Sequence, residues 1–308
     1  MIDCVITQPI CESGVGLLRD AGLKVFEAPT ASVDAMRGPL ATARAVITRN
    51  WGFSAAAIAA APMLRVIGSH GTGIDAIDLA SARARGIVVV NTPGTNSISV
   101  AEHVLGLMLA CARSTLTADR AMRVGDHGFR TTSAGVELSG RRLGLVGYGR
   151  IARHVAHLAR AFGMQVHVLS RHAAAEDIAR DGAIKADDLG RLLAISDILS
   201  LHGLPDGAHV IGAAELAMLP RGAILINTAR GTLLDEAALI AALECGYLRA
   251  AGLDVFRLEP LPAESPLLRC RRLIVSPHIG GATAEALERT GLEVARKVLS
   301  ALAECERP

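Results

Sequence analysis

The ten residues Leu143-Gly144-Leu145-Val146-Gly147-Tyr148-Gly149-Arg150-Ile151-Ala152 limit the fold of this chain more than any other segment. They read as a strand, a G-x-G-x-x-A turn and the start of a helix. The first glycine permits a tight turn, and the second lets the backbone approach a pyrophosphate. The third position needs only a small residue, here Ala152. The free N–H groups and dipole of the following helix favour phosphates. Glycines at strand–helix turns are also ordinary packing devices, so the motif is weak alone. Its context decides: a helix is expected over 150–162, a stop at Gly163 and a strand over 165–169. That is a dinucleotide-binding unit of about thirty residues, strand to strand. Gly147, Gly149, Arg150 and Ile151 are therefore candidate cofactor-binding residues.

Around this unit the chain alternates short apolar runs with helical segments, which implies mostly parallel sheets joined by right-handed crossovers. Strands are expected at 5–6, 23–26, 45–48, 64–67 and 87–90, with helices at 14–21, 55–61 and 79–85. A long amphipathic helix follows from 97 to about 119, then a polar, glycine-containing stretch over 124–139. A second α/β series begins at Arg142, with strands near 142–146, 165–169, 197–201, 223–226, 250–253 and 273–275. Six strands match one dinucleotide-binding fold. A final helix is expected over 285–303.

Bulk properties exclude several classes. At 308 residues there is chain enough for two domains with buried cores. A net charge of +2 offers no electrostatic case for nucleic acid or an anionic membrane. The most apolar helix candidate, 100–112, carries Glu102 and His103 and is too short to span a bilayer. The N-terminus lacks a basic n-region and reads as a first strand, so no secretion signal is expected. The chain ends soon after its last helix, so no added regulatory domain is expected. Six scattered cysteines without a C-x-x-C pair fit reduced thiols and a cytoplasmic location rather than disulfides or zinc. His154 and His157 are three apart on a helix, where a solvated or packed face is the expectation and a metal site is not.

Three stretches near the C-terminus carry chemistry: Asn227-Thr228-Ala229-Arg230-Gly231, Asp254-Val255-Phe256-Arg257-Leu258-Glu259-Pro260 and Ser276-Pro277-His278-Ile279-Gly280-Gly281. Each follows an expected strand, and the carboxyl ends of parallel strands line the ligand crevice in such folds. An arginine grips a planar carboxylate or carbonyl with paired donors. A histidine held by a glutamate is a tuned acid–base. The trio Arg230, Glu259 and His278 therefore describes a site that moves a proton on and off an oxygen next to a carboxylate. The loop Gly71-Thr72-Gly73 after the fourth strand could aim successive N–H groups at one anion, though two glycines also suit a plain turn. His70 borders that loop, while Asp75 and Asp78 suit a helix cap.

The order and wording of these stretches, with Gly71 to Asp78, Asn91 to Asn96, Val100-Ala101-Glu102-His103 and the glycine loop, resemble the D-2-hydroxyacid dehydrogenase family. The resemblance runs from about Ala45 to Lys297. It implies two Rossmann-like α/β domains with doubly wound parallel sheets, the cofactor domain inserted into a discontinuous substrate domain. The corresponding boundaries are 1–96 with 284–308 for the substrate domain and 97–283 for the dinucleotide-binding domain. It further implies an NAD(P)-dependent oxidoreductase that passes hydride between NAD(P)H and a small 2-oxo acid, giving the D-2-hydroxy acid. Arg230 would orient the keto acid, His278 transfer the proton and Glu259 hold the histidine, with Gly71, Thr72 and Gly73 on the substrate carboxylate. Asp254 would accept from the nicotinamide amide, with Val100, Thr228, Ala229 and Gly280 at the same end of the cofactor.

The strand over 165–169 ends in Ser170-Arg171. NAD-preferring folds usually carry Asp or Glu there for the ribose hydroxyl, and many relatives have Asp at the Ser170 position. Without that acid nothing repels a 2′-phosphate, and Arg171 can pair with it, so NADP is the expected cofactor and NAD the alternative. The turn over 203–209 is shorter than is usual in the family, which bears on the adenosine contacts. A homodimer through the 120–139 segment is expected because relatives dimerise there. Glyoxylate or hydroxypyruvate is the leading substrate class. Phosphoglycerate dehydrogenase is the alternative, suggested by Gly135-Val136-Glu137-Leu138-Ser139-Gly140. A nucleotide-sensing, co-repressor-like binding protein is the rival from another class, and the intact trio argues against it.

Overall fold

The computed structural model describes residues 1–30, 32–203, 210–305 and 307. The strands and helices in chain order are β1 (Cys4–Ile6), α1 (Glu12–Asp20), β2 (Val25–Glu27), α2 (Val33–Leu40), β3 (Ala45–Thr48), α3 (Ala55–Ala59), β4 (Val66–Ser69), α4 (Leu79–Ala84) and β5 (Val88–Asn91). Then come α5 (Ser97–Arg113), α6 (Thr115–Arg123), α7 (Phe129–Thr132), β6 (Arg142–Val146), α8 (Arg150–Ala161), β7 (Gln165–Leu169), α9 (Ala175–Arg180), β8 (Ile184–Lys185) and α10 (Leu189–Ile195). The series ends with β9 (Ile198–Leu201), α11 (Ala213–Met218), β10 (Ile224–Asn227), α12 (Glu236–Glu244), β11 (Ala250–Leu253), β12 (Leu273–Val275) and α13 (Ala284–Cys305). They form two compact units, Met1–Asn96 with Gly281–Pro308, and Ser97–Gly280.

The first unit is a parallel sheet in the order β2-β1-β3-β4-β5. Side chains on a strand alternate between faces. Cys4, Ile6, Ala45, Ile47 and Val66 therefore meet Val15 and Leu18 of α1 and Val294, Val298 and Leu302 of α13. Val5, Val46 and Ile67 point the other way, onto Met36, Leu40, Ala57 and Ile58. The sequence pattern overlooks α2, because Gly38-Pro39 near its end reads as a turn. Pro39 sits in the last turn, where the chain is leaving the helix anyway.

The second unit is a parallel sheet in the order β12-β11-β10-β9-β6-β7-β8. The six strands expected here become seven, because β8 pairs with the edge of β7 through only two residues. Both of its side chains are exposed, so no apolar period marks it in the sequence. Leu143, Leu145, Ile198 and Ile226 pack on α5 and α8; Leu199, Leu201, Leu225 and Leu253 pack on the opposite side among α10, α11 and α12. Each such leucine or isoleucine contributes roughly 1.5–3 kcal/mol by leaving water. Helix α8 buries Ala152, Val155, Ala156 and Ala159, the spacing of one helical face.

The single helix expected from 97 to about 119 is divided at Ser114, whose φ of 53° is left-handed. The apolar stripe holding α5 in place ends with Cys111 and Ala112, and α6 buries no residue at all. Packing on the sheet, rather than helix propensity, sets where the long helix stops.

Candidate active site

Strands β10, β11 and β12 are neighbours, and their carboxyl ends carry the three chemical stretches. After β10 the Asn227 side chain, fully buried, accepts from the Ala229 amide at 3.0 Å and donates to the Arg230 carbonyl at 2.9 Å. That pair of bonds folds the backbone around Arg230. Gly231 follows because a Cβ there would lie 1.9 Å from the Phe256 carbonyl carbon. A side chain at 231 would thus push the arginine loop off the loop that carries Glu259.

His278 and Glu259 meet directly, with Nδ1 2.8 Å from Oε2. The other carboxylate oxygen, Oε1, accepts from the Phe256 amide at 3.0 Å, so the glutamate is held at both ends. Burial pushes the Glu259 carboxyl up, but the His278 hydrogen bond, the Phe256 amide and the positive charges of His278 and Arg230 outweigh it. Glu259 is therefore held below the usual glutamate range and is ionised at neutral pH. An ionised carboxylate only accepts, so Nδ1 carries the proton and Nε2 is left for a reacting oxygen. His278 has a φ of 55°, which a non-glycine residue rarely adopts. The trio is brought together within the second unit.

Asp254 is almost wholly buried beside this pair. Its Oδ1 accepts from the Ser276 hydroxyl at 2.6 Å and the Ile279 amide at 2.9 Å, and Oδ2 from the Gly280 amide at 2.8 Å. Burial raises the Asp254 carboxyl, whereas His103, Ser276 and these amides together bring it below the usual aspartate value. Val100 borders Gly280. The Thr228 hydroxyl at the end of β10 is buried and finds no partner among the described residues.

The glycine loop joins β6 to α8. Gly147 has a φ of 96°, and a Cβ there would lie 2.8 Å from the amide of Gly203 at the end of β9. A Cβ on Gly149 would meet nothing within 4 Å, and Ala152 is fully buried against the sheet. Helix α8 starts at Arg150 directly after Gly149, so its N-terminal turn borders the glycine loop. An open glycine, a helix N-terminus and the unpartnered Thr228 hydroxyl fit a dinucleotide, with pyrophosphate at α8. Tyr148, between the glycines, donates to Asp181 at 2.9 Å, and Arg153 covers its ring at 4.8 Å. Ser170 ends β7 with its hydroxyl accepting from Ala173 at 3.1 Å, while Arg171 and His172 are exposed. Most of the 203–209 turn falls outside the described residues.

Gly71, Thr72 and Gly73 lie in the first unit, after β4. The Gly71 amide already donates to Ser69 and to the Thr92 hydroxyl, at 3.0 and 2.9 Å. Thr72 and Gly73 supply the other two amides of this loop. His70 is buried, its Nε2 lacks a partner among the described residues, and burial with the nearby Arg49 charge lowers it to about 4. Asp78 caps α4 by accepting from Ser81 at 2.8 Å. His154 and His157 are exposed, and no cluster of metal-ligating side chains occurs among the described residues. No helix among the described residues is long and apolar enough to cross a membrane. The Tyr148–Asp181 bond has no sequence signature, since it joins residues that meet only in the folded unit.

Residues 105–280 match the model of the D-isomer specific 2-hydroxyacid dehydrogenase NAD-binding domain. The chain belongs to the D-isomer specific 2-hydroxyacid dehydrogenase family. Among its relatives in this family is the hydroxypyruvate reductase of Thermotoga maritima, 39% identical over 80% of this chain and 80% of that one. The D-3-phosphoglycerate dehydrogenase of Methanocaldococcus jannaschii is 36% identical over 98% of this chain and 58% of its own. The chain thus spans about half the length of the curated D-3-phosphoglycerate dehydrogenases it matches. The crystal structure of a glyoxylate reductase from Paecilomyes thermophila superposes with a TM-score of 0.86 at 30% identity, covering 100% of this chain and 97% of that one. A nicotinamide nucleotide is the cofactor of the matched domain of this 2-hydroxyacid dehydrogenase family member.

Proposed function

We propose that this protein is a 2-oxoacid reductase that forms D-2-hydroxy acids, with glyoxylate or hydroxypyruvate as the substrate class and NADPH preferred over NADH. The observation that carries the reading is the His278–Glu259 pair at 2.8 Å, with the charge of Arg230 close enough to act on the same carboxylate. The nicotinamide nucleotide supplies the hydride when bound. Arg230 holds the keto acid by its carboxylate and carbonyl oxygen. His278 gives its Nε2 proton to the alkoxide oxygen as negative charge develops there. Glu259 keeps the ring in the tautomer and orientation that this transfer requires by accepting from Nδ1.

Gly147, Gly149, Arg150 and Ile151 hold the pyrophosphate, Ser170 and Arg171 the ribose 2′-phosphate, and Val100, Thr228, Ala229, Asp254 and Gly280 the nicotinamide end. The NADPH preference rests on the absence of a carboxylate at the end of β7. The active species is proposed to be a homodimer, because α6 buries nothing and exposes Leu116 and Met122, with Val124 exposed just after it. Sedimentation at micromolar concentration showing only a monomer removes that part of the reading. A second reading, oxidation of 3-phosphoglycerate, is favoured by the match to D-3-phosphoglycerate dehydrogenase over nearly the whole chain. Steady-state turnover of glyoxylate, hydroxypyruvate, pyruvate and 3-phosphohydroxypyruvate with both nucleotides tests the proposal. The highest kcat/KM on glyoxylate or hydroxypyruvate supports it; the highest on 3-phosphohydroxypyruvate moves the assignment to the second reading. No turnover of any of them rejects both.

A further inference from the structure

His278 is the only described residue of the second unit besides Ser114 and the glycines to hold a positive φ. A left-handed histidine is disfavoured and persists only where its surroundings over-determine it. The surroundings here are specific. The His278 amide donates to the Asp254 carbonyl at 2.9 Å and to the Ser276 carbonyl at 3.0 Å. The next two amides, Ile279 and Gly280, donate to the two oxygens of the Asp254 carboxylate. Asp254 therefore grips the turn on both sides of the histidine.

The grip extends one layer outward. Ser276 donates its hydroxyl proton to Asp254 Oδ1 at 2.6 Å, since a carboxylate can only accept. Its oxygen lone pair then faces His103 Nε2 at 3.1 Å, which makes that nitrogen the donor. His103 Nε2 also lies 3.4 Å from Asp254 Oδ1. A directed chain thus runs from His103 on α5 through Ser276 to Asp254, and by way of the turn to His278. Oδ1 is filled by this chain and the Ile279 amide, and the side chain of Asp254 is only 2% exposed. Oδ1 thus braces the turn.

We propose that Ser276 and His103 are positioning residues, which act through Asp254 to hold His278 in its left-handed conformation against Glu259. This rests on the reading of His278 as the proton donor. Loss of the Ser276 hydroxyl strips Oδ1 of its shortest hydrogen bond and frees the turn to relax toward ordinary φ. The imidazole then leaves the place where Nε2 meets the reacting oxygen, while the arginine loop and the glycine loop stay as they are. Misplacement on the scale of 1 Å lowers turnover by about a hundredfold.

The test compares Ser276→Ala, Ser276→Thr and His103→Ala in the full-length protein. Ser276→Ala is expected to lower kcat for keto-acid reduction by about tenfold to a hundredfold, with the Kd for NADPH and the KM for the keto acid unchanged. Ser276→Thr keeps the hydroxyl and should restore most of kcat. His103→Ala should lower kcat less, and the double variant should be no worse than Ser276→Ala, because the two act in series. Nitrogen-15 NMR of the histidine rings gives a readout independent of turnover, with His278 assigned by its loss in His278→Gln. Ser276→Ala should move or broaden the His278 ring signals. Unchanged His278 signals and unchanged kcat overturn the proposal. So does a loss of kcat that Ser276→Thr fails to restore, or one matched by weakened NADPH binding. A wild-type protein that reduces no keto acid rejects the assigned function, and the ring signals then decide the positioning claim alone.

Discussion

The side chain of Asn227 donates to the carbonyl of Arg230 across three residues at 2.9 Å, and its own oxygen holds the Ala229 amide between them. The asparagine is fully buried at the end of β10, and its two bonds hold the backbone on both sides of the arginine's peptide. Asn227→Ala is expected to leave the Ala229 amide without its acceptor, while the Arg230 carbonyl keeps the Leu233 amide, costing about 1–3 kcal/mol of stability. It should also lower kcat/KM by up to about a hundredfold through misplacement of Arg230. Thermal unfolding with steady-state kinetics checks both, and a variant with normal kcat/KM would show that Arg230 is placed by something else.

Removal of the proton donor has a different signature from removal of the substrate clamp. His278→Ala should lower kcat about a hundredfold to ten-thousandfold, the range of a lost general acid. Glu259→Gln keeps the shape but not the charge, so an intermediate loss of kcat is expected. Arg230→Ala should raise KM and lower kcat together. Near-normal kcat in His278→Ala with every keto acid that is turned over would assign proton transfer to another group.

Cofactor choice is expected to follow the end of β7. Ser170→Asp places a carboxylate where a 2′-phosphate would sit, and like charges in close contact cost several kcal/mol. The ratio of kcat/KM for NADPH over NADH should fall by about tenfold or more. The same substitution removes the hydroxyl that accepts from Ala173, so unfolding temperatures of the two proteins must be compared alongside. A higher kcat/KM with NADH in the wild-type protein is the result that defeats the NADPH assignment.

Acid should destabilise the fold in two steps. Burial holds His70 and His202 down to about 4, from an ordinary value of 6.5. Between those values the unfolded chain binds protons that the folded one refuses, so stability falls as pH drops from 6.5 toward 4. Asp254, Glu259 and Asp197 are held below their usual range, so their stabilising effect is present at neutral pH. It is lost below about pH 4, as their unfolded counterparts and then they themselves take up protons. His70→Phe should flatten the upper step without touching the lower one. The measurement is melting temperature from pH 7 to pH 3; an unaltered slope between pH 6.5 and 4 would mean that His70 is not held neutral.

The sequence alone determined the α/β class, the alternation of strands and helices and the glycine loop, and it singled out Arg230, Glu259 and His278 as the candidate trio. Those features are local: a period of side chains along a strand, a small residue where a turn or helix demands it, a motif contained in a few residues. The two-residue strand β8, the helix boundary at Ser114 and the helix over Gly38-Pro39 came from tertiary pairing and packing, which short windows do not carry. The same holds inside the site. Sequence placed His278 and Glu259 nineteen positions apart, and only the adjacent strand ends of β11 and β12 bring Nδ1 within 2.8 Å of Oε2. The Gly71 amide, a natural anion donor on sequence grounds, is taken by Ser69 and Thr92. Which hydrogen bonds a buried group makes depends on neighbours distant in the chain, and those are decided when the sheet closes its register.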